Sequence, residues 1–161
     1  MTSSGENAAR QLAGLLREKN FHIATAESCT GGMVGALLTA IPGISELYEG
    51  GVVAYQNRVK EKLLQVPHTI LATRGAVSLE CASAMAEGAA RLFHTECAVA
   101  TTGIAGPGGG SAAKPVGTVC FGVRTPDGVQ SFRRHFSGSR EEVRRAAAEY
   151  VLELLIELLK R

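Results

Sequence analysis

Phe21-His22-Ile23-Ala24-Thr25-Ala26-Glu27-Ser28-Cys29-Thr30-Gly31-Gly32 is the stretch on which the reading of this chain turns. Residues 21–26 are a short apolar and β-branched run bounded by a turn, which predicts a strand. Residues 27–32 are small and polar, and a helix is expected over 33–40 until Pro42-Gly43 ends it. A small residue in a sharp strand-to-helix turn meets the needs of a nucleophile, because helix-start N–H groups lack partners and can face a developing oxyanion. Ser28 sits in such a turn, with Thr30, Gly31 and Gly32 leaving backbone open to a ligand. The plainer alternative is that Ser28 and Thr30 only cap the helix.

Outward from that turn the pattern is a layered one. Ala8, Ala9, Leu12, Leu15 and Leu16 form a helical stripe that Asn20 closes. Residues 51–55 read as a second strand, and Asn57 as the cap of a short helix through Leu64, with Pro67 just beyond. Ser78 caps a helix whose stripe is Ala82, Met85, Ala86, Ala89 and Phe93. Residues 98–102 are a strand entering a Gly-rich loop, and 116–123 with 129–136 a hairpin around Pro126-Asp127-Gly128. Ser139 and Glu142 make a capping box for a final helix with Val143, Ala147, Val151, Leu154 and Leu158 at helical spacing. With 161 residues the chain fits one domain, expected to span 1–161 as an α/β fold with helices on both faces of a mixed sheet. Aromatics at 5% against 19 glycines mean that small aliphatic side chains and tight turns build its core.

Several classes of function are excluded by composition. A net charge of +2 is too small to argue for a nucleic-acid partner, although Arg133, Arg134, Arg140, Arg144 and Arg145 cluster locally. Cys29, Cys81, Cys97 and Cys120 contain no Cys-x-x-Cys pair and read as reduced thiols. Residues 1–10 lack a secretory apolar core, and Glu153 and Glu157 break the longest apolar run, so a cytoplasmic location with no membrane span is expected. No Cys/His/carboxylate group has metal-ligand spacing, so neither a metal nor a cofactor is expected.

A serine hydroxyl needs a base, and the usual histidine is not evident. His22, His68, His94 and His135 have no paired acid or motif and read as surface or packing residues. A lysine serves if burial or neighbouring positive charge depresses its pKa. Lys60 lies near the start of the short helix, where the dipole favours the neutral amine; otherwise it is a solvated residue like Lys62. Tyr55 precedes that helix, and its hydroxyl can reach the same pocket, or else it is a half-buried strand aromatic. Cys29 is a rival nucleophile without a histidine to favour its thiolate. Residues 102–111 (TGIAGPGGGS) carry neither a Walker loop nor a dinucleotide fingerprint, and read as an active-site wall lined by Thr102 and Gly103, or as a purely structural turn. Arg140 falls in the first turn of the last helix, where a cation opposes the dipole. A bound phosphate, or a salt bridge to Glu141 or Glu142, would resolve that conflict.

The motifs resemble those of a known family. AESCTGG at 26–32, Tyr55-Gln56-Asn57-Arg58-Val59-Lys60, GAVS at 75–78, GIAGP at 103–107, KPVGTV at 114–119 and SGSR at 137–140 are similar, in order, to blocks of the CinA C-terminal domain family. That family includes stand-alone nicotinamide mononucleotide amidases. The resemblance implies an α/β/α sandwich, a nucleophile at Ser28, a catalytic lysine at Lys60 and an assisting tyrosine at Tyr55. It further implies a small nucleotide substrate met by Thr30, Gly31, Gly32, Asn57, Thr102, Gly103 and Arg140, no metal, and, as is frequent in the family, a homodimer. Gln56 and Ser139 depart from its usual serine and aspartate. The nucleotide-handling N-terminal domain of longer members is not part of these residues, so no pyrophosphatase activity is expected. The competing expectation is a non-catalytic regulatory or partner-binding module linked to competence or DNA damage.

Overall fold

The computed structural model describes residues 3–161, so Met1 and Thr2 of the polar N-terminal run lie outside the described residues. In chain order the elements are α1 (Ser4–Lys19), β1 (Ile23–Glu27), α2 (Met33–Thr39), a 3-10 turn (Ile44–Glu46), β2 (Tyr48–Val53), α3 (Asn57–Leu64), α4 (His68–Thr73), α5 (Leu79–Phe93), β3 (Cys97–Gly103), β4 (Thr118–Thr125), β5 (Gly128–His135) and α6 (Arg140–Leu159). Side-chain caps set several of these starts. The Glu6 amide donates to Ser3 Oγ at α1, the Cys81 amide to Ser78 Oγ at α5, and Ser139 and Glu142 form the expected reciprocal box at α6. Asn20 closes α1 in the left-handed region at φ 56°.

The strand order is β2-β1-β3-β4-β5. β1 runs parallel to both β2 and β3, while β4 and β5 pair antiparallel, which makes the sheet mixed. One apolar layer joins α1, α2 and α6 through Leu12, Leu16, Val34, Leu38, Val151 and Leu155. The other joins α3, α4 and α5 through Leu64, Leu71, Met85, Ala86 and Ala89. The sheet lies between them, so the three-layer α/β/α arrangement expected from the sequence is the one adopted. Strand residues alternate between layers as the pleat requires: Ile23 packs in the first, Ala24 and Ala26 in the second.

Glycines let α5 press close. A Cβ on Gly88 would fall 2.1 Å from the Leu64 carbonyl oxygen at the end of α3, and one on Gly122 in β4 would fall 2.1 Å from the Ala82 carbonyl oxygen. The layer holding α3 is therefore held at a fixed, short distance from the sheet.

Three expectations need correction. The second strand is Tyr48–Val53, not 51–55; its glycines weaken the sequence signal, but its partner β1 supplies the ladder. Asn57 does not cap α3: it is the first helical residue, and Gln56 occupies the cap without a side-chain bond. Helix α4 and the 3-10 turn were not expected, both being too short to show a period.

Candidate active site

Ser28 directly follows β1, yet its amide still donates to the Thr101 carbonyl of β3 at 2.9 Å, so the ladder runs one residue past the strand. Alternation along this extension sends Glu27 toward the α2 layer and Ser28 toward the α3 layer. β1 has parallel neighbours on both sides, reached by crossovers on opposite faces. Its carboxyl end is the switch point at which α/β sheets open a ligand crevice.

Lys60, in the first turn of α3, meets Ser28 there. Its Nζ lies 3.1 Å from Ser28 Oγ, and it donates to the carbonyls of Ala54 at 2.8 Å and Tyr55 at 3.1 Å. The residue is only 1% exposed, and among the described residues no carboxylate forms an ion pair with it. Burial pushes the amine's pKa below its ordinary value, with the neighbourhoods of Cys81 and Cys29 opposing weakly. The expected depression therefore has desolvation as its leading cause, where the sequence argument had invoked the helix dipole. The rival nucleophile fares worse: burial pushes the Cys29 thiol up to about 12, which keeps it protonated and poorly nucleophilic.

Ser28 and Lys60 open into a cleft of about 210 Å³ that Asn57, Thr102 and Gly103 also line. The Thr102 hydroxyl donates to the Ala76 carbonyl at 2.8 Å. Tyr55 and Arg140 border the same cleft. Tyr55 is 57% exposed; its hydroxyl accepts from Arg140 Nη2 at 3.3 Å, while its backbone carbonyl serves Lys60. Arg140 Nη1 donates to the Gly106 carbonyl at 2.8 Å. The salt-bridge explanation of Arg140 does not hold, since Glu141 pairs with Arg145 and Glu142 is used in the capping box. None of the four histidines lines the cleft. Among the described residues no group of three or more His, Cys, Asp or Glu converges as metal ligands would, and no helix is long and apolar enough to cross a membrane.

The turn after Ser28 is held by residues that sequence reasoning missed. Glu27 is buried, and its Oε1 accepts from the Gly32 and Val34 amides at 3.1 and 2.9 Å; its Oε2 accepts from Gly35 at 3.0 Å. The Thr30 hydroxyl also donates to Glu27 Oε1 at 2.6 Å and, its one proton spent, accepts from Thr101 at 2.7 Å. Helix α2 is thus capped by a carboxylate from the preceding strand, not by Ser28 or Thr30. Thr30, Gly31 and Gly32 do not line the cleft, and the fully buried Thr30 side chain has no room for a ligand. One signal was readable: a lone acid ends an apolar strand just before a helix whose first residue directly follows Gly31-Gly32. The second missed residue is Arg144 on α6, whose Nε donates to the Cys29 carbonyl at 3.0 Å and whose Nη2 donates to the Thr30 carbonyl at 3.4 Å.

The CinA C-terminal domain family model matches residues 5–159. The chain belongs to the CinA C-terminal domain family. A CinA-like protein of Synechococcus sp. (strain RCC307) is 54% identical over 125 residues, which cover 78% of this chain and 30% of that protein. A CinA-like protein of Anaeromyxobacter sp. (strain K) is 50% identical over 140 residues, covering 87% and 34%. The chain therefore spans about a third of the length of these relatives. Solved structures of CinA-type proteins match nearly end to end. That of the competence/damage inducible protein from Agrobacterium tumefaciens has a TM-score of 0.94 at 40% identity, covering 100% of this chain and 98% of the other. The competence damage-inducible protein A from Klebsiella pneumoniae gives 0.94 at 34% identity, covering 98% of each.

Proposed function

We propose that this chain hydrolyses the carboxamide of nicotinamide mononucleotide, giving nicotinate mononucleotide and ammonia by a serine–lysine mechanism. The observation that carries the reading is the buried Lys60 amine 3.1 Å from Ser28 Oγ, with two backbone carbonyls as its other neighbours. A neutral amine has two N–H donors and one lone pair. With Ala54 and Tyr55 taking the donors, the lone pair is left for the Ser28 hydroxyl, which is the arrangement a general base needs.

The Ser28 oxygen attacks the amide carbon while Lys60 takes the hydroxyl proton. Collapse of the tetrahedral adduct breaks the carbon–nitrogen bond, and Lys60 returns that proton to the departing amine, which leaves as ammonia. Water, deprotonated by the same lysine, then attacks the Ser28 ester; the bond from the acyl carbon to Ser28 Oγ breaks, Lys60 returns the proton to that oxygen, and the carboxylic acid is freed. The developing oxyanion needs donors in the turn, and most are committed: Gly31 to the Ser28 carbonyl, Met33 to that of Thr30, and Gly32, Val34 and Gly35 to Glu27. Cys29 lines the cleft and its amide has no backbone acceptor among the described residues, so it is the donor assigned to the oxyanion. A cleft of about 210 Å³ accommodates the pyridine ring and its amide. The ribosyl phosphate then extends to the border where Tyr55 and Arg140 stand. Tyr55 assists from there, by its carbonyl on Lys60 and its hydroxyl at the mouth.

Ammonia release from nicotinamide mononucleotide, compared between the wild-type chain and Ser28→Ala, tests the reading. Wild type should turn over and a folded Ser28→Ala should not. A wild-type chain that binds the nucleotide but releases no ammonia would favour a regulatory module in this family.

A further inference from the structure

The segments 75–78 (GAVS) and 114–119 (KPVGTV) meet at a place that the serine–lysine chemistry does not use. Lys114 reaches across to donate to the Arg74 carbonyl at 2.8 Å, and a Cβ on Gly75, at φ 83°, would lie 3.3 Å from its Nζ. Beside this contact the end of α4, the start of α5, β4 and β5 border a pocket of about 420 Å³, against about 210 Å³ for the catalytic cleft. Pockets of that size hold small molecules. We propose that this pocket is a second ligand site, for a small organic phosphate such as a nucleoside monophosphate.

Charge selects an anion. Arg74, Lys114 and Arg133 line the pocket, against the single acid Glu80. Among the described residues none of the three cations forms an ion pair. Lys114 spends one of its three N–H donors on the Arg74 carbonyl, and Arg133 Nη2 donates to the Ala113 carbonyl at 2.6 Å. The Arg74 guanidinium makes no hydrogen bond or ion pair among the described residues. Charged donors therefore remain for a ligand, and a phosphate dianion would relieve the mutual repulsion of three like charges. Lys114 and Arg133 also act on one point, the buried Cys120 thiol: burial pushes its pKa up, Arg133 and Lys114 pull it down, and Glu80 opposes them. Val77, Leu79 and Cys120 supply apolar lining, which an organic group would cover and inorganic phosphate would not. The pocket is distinct from the site at Arg140, which lines the cleft and not this pocket, while the three cations line this pocket and not the cleft. The two share Val77, and the Ala76 carbonyl in the same wall accepts from the cleft residue Thr102 at 2.8 Å.

Calorimetric titration with adenosine 5′-monophosphate and with inorganic phosphate tests the site, on wild type, Arg74→Glu, Lys114→Met and Arg140→Ala. Wild type and Arg140→Ala should both bind the nucleotide, more tightly than about 1 mM. Arg74→Glu and Lys114→Met should each weaken it about 10-fold or more, as loss of a charge-assisted contact does. Inorganic phosphate should bind less tightly than the nucleotide. Arg74→Glu should also leave KM for nicotinamide mononucleotide within about 2-fold, because the substrate phosphate is assigned to the other side of the shared wall. No nucleotide binding by wild type, or binding unchanged in folded Arg74→Glu and Lys114→Met, would overturn the proposal. So would binding lost only in Arg140→Ala, which returns the anion to the cleft, and a raised KM in Arg74→Glu, which makes the pocket part of the substrate site. Phosphate binding as tight as the nucleotide's would overturn the organic ligand. Lys114→Met gives up a bond to backbone; if it does not fold, Arg74→Glu, which gives up none, decides. The titration reads this pocket whether or not the chain releases ammonia, so its failure is separate from failure of the amidase reading.

Discussion

Glu27→Ala is the substitution whose cost the structure lets one work out. The carboxylate accepts from three amides of the α2 start and from the Thr30 hydroxyl. Gly32 and Gly35 are half-buried, so water can replace part of what they lose, whereas Thr30 and Val34 are fully buried. Two charge-assisted bonds lost without replacement cost about 3–6 kcal/mol. Loss of the anion at the helix start adds up to about 1 kcal/mol. Removing a buried charge offsets part of this, leaving a net destabilisation of about 3–5 kcal/mol. At roughly 2–4 °C per kcal/mol for a chain of this size, Tm should drop by about 6–20 °C. Urea denaturation followed by circular dichroism measures it as a lowered midpoint at constant slope. Glu27→Gln should fall between, since its amide nitrogen would meet either the Gly35 donor or those of Gly32 and Val34. A loss below about 1 kcal/mol for Glu27→Ala would refute the idea that this carboxylate holds the turn.

Three further outcomes follow from the site. Lys60→Arg keeps the charge but cannot lose its proton, so kcat should fall about 10²-fold or more. Burial disfavours the charged amine, so the wild-type rate should rise with pH through an ionisation below the ordinary lysine value of about 10.4, and fall away as pH drops beneath it; near-normal turnover by Lys60→Arg would remove the base role. Arg140→Ala should raise KM for the nucleotide about 10- to 150-fold while leaving the nucleoside little changed, measured by ammonia release from the two; an undiminished nucleotide preference would place the phosphate elsewhere. Cys29→Ala should retain wild-type-like turnover, and iodoacetamide at neutral pH should leave Cys29 unmodified, because a thiol raised to about 12 is protonated there.

The elements that the sequence made legible are those with a local signature. Ser78 and Ser139 announce helix starts, Asn20 a helix end, and the stripe of α6 repeats often enough to be unmistakable. Helix-start placement made Lys60 a candidate base for Ser28, and the resemblance is what favoured that role over a solvated lysine. The proximity of Ser28 and Lys60 arises from the crossover between β1 and β2 and the packing of α3 on the sheet, which no spacing encodes. Glu27 and Arg144 escaped for a related reason. Each acts on backbone groups of the turn, one from the strand before it and one from a helix more than a hundred residues on, and a bond to backbone leaves no partner residue to read. The backbone at Thr30, Gly31 and Gly32 reads in sequence as open to a ligand, because open backbone looks alike whether it meets a substrate or a carboxylate.

The pleat at the end of β1 has an evolutionary consequence. Glu27 and Ser28 are neighbours in the chain but belong to opposite sides of the sheet: the acid anchors the turn, while the serine opens into the cleft and is the nucleophile in the proposed mechanism. Selection can therefore act on the two almost independently. Substitutions among α1, α2 and α6 that preserve the Glu27 and Arg144 anchors can retune thermal tolerance without reshaping the reaction chamber. Conversely, changes around Asn57 and Thr102 can reshape the cleft while the anchoring side stays as it is. A nucleophile fastened from behind leaves its front wall free to vary.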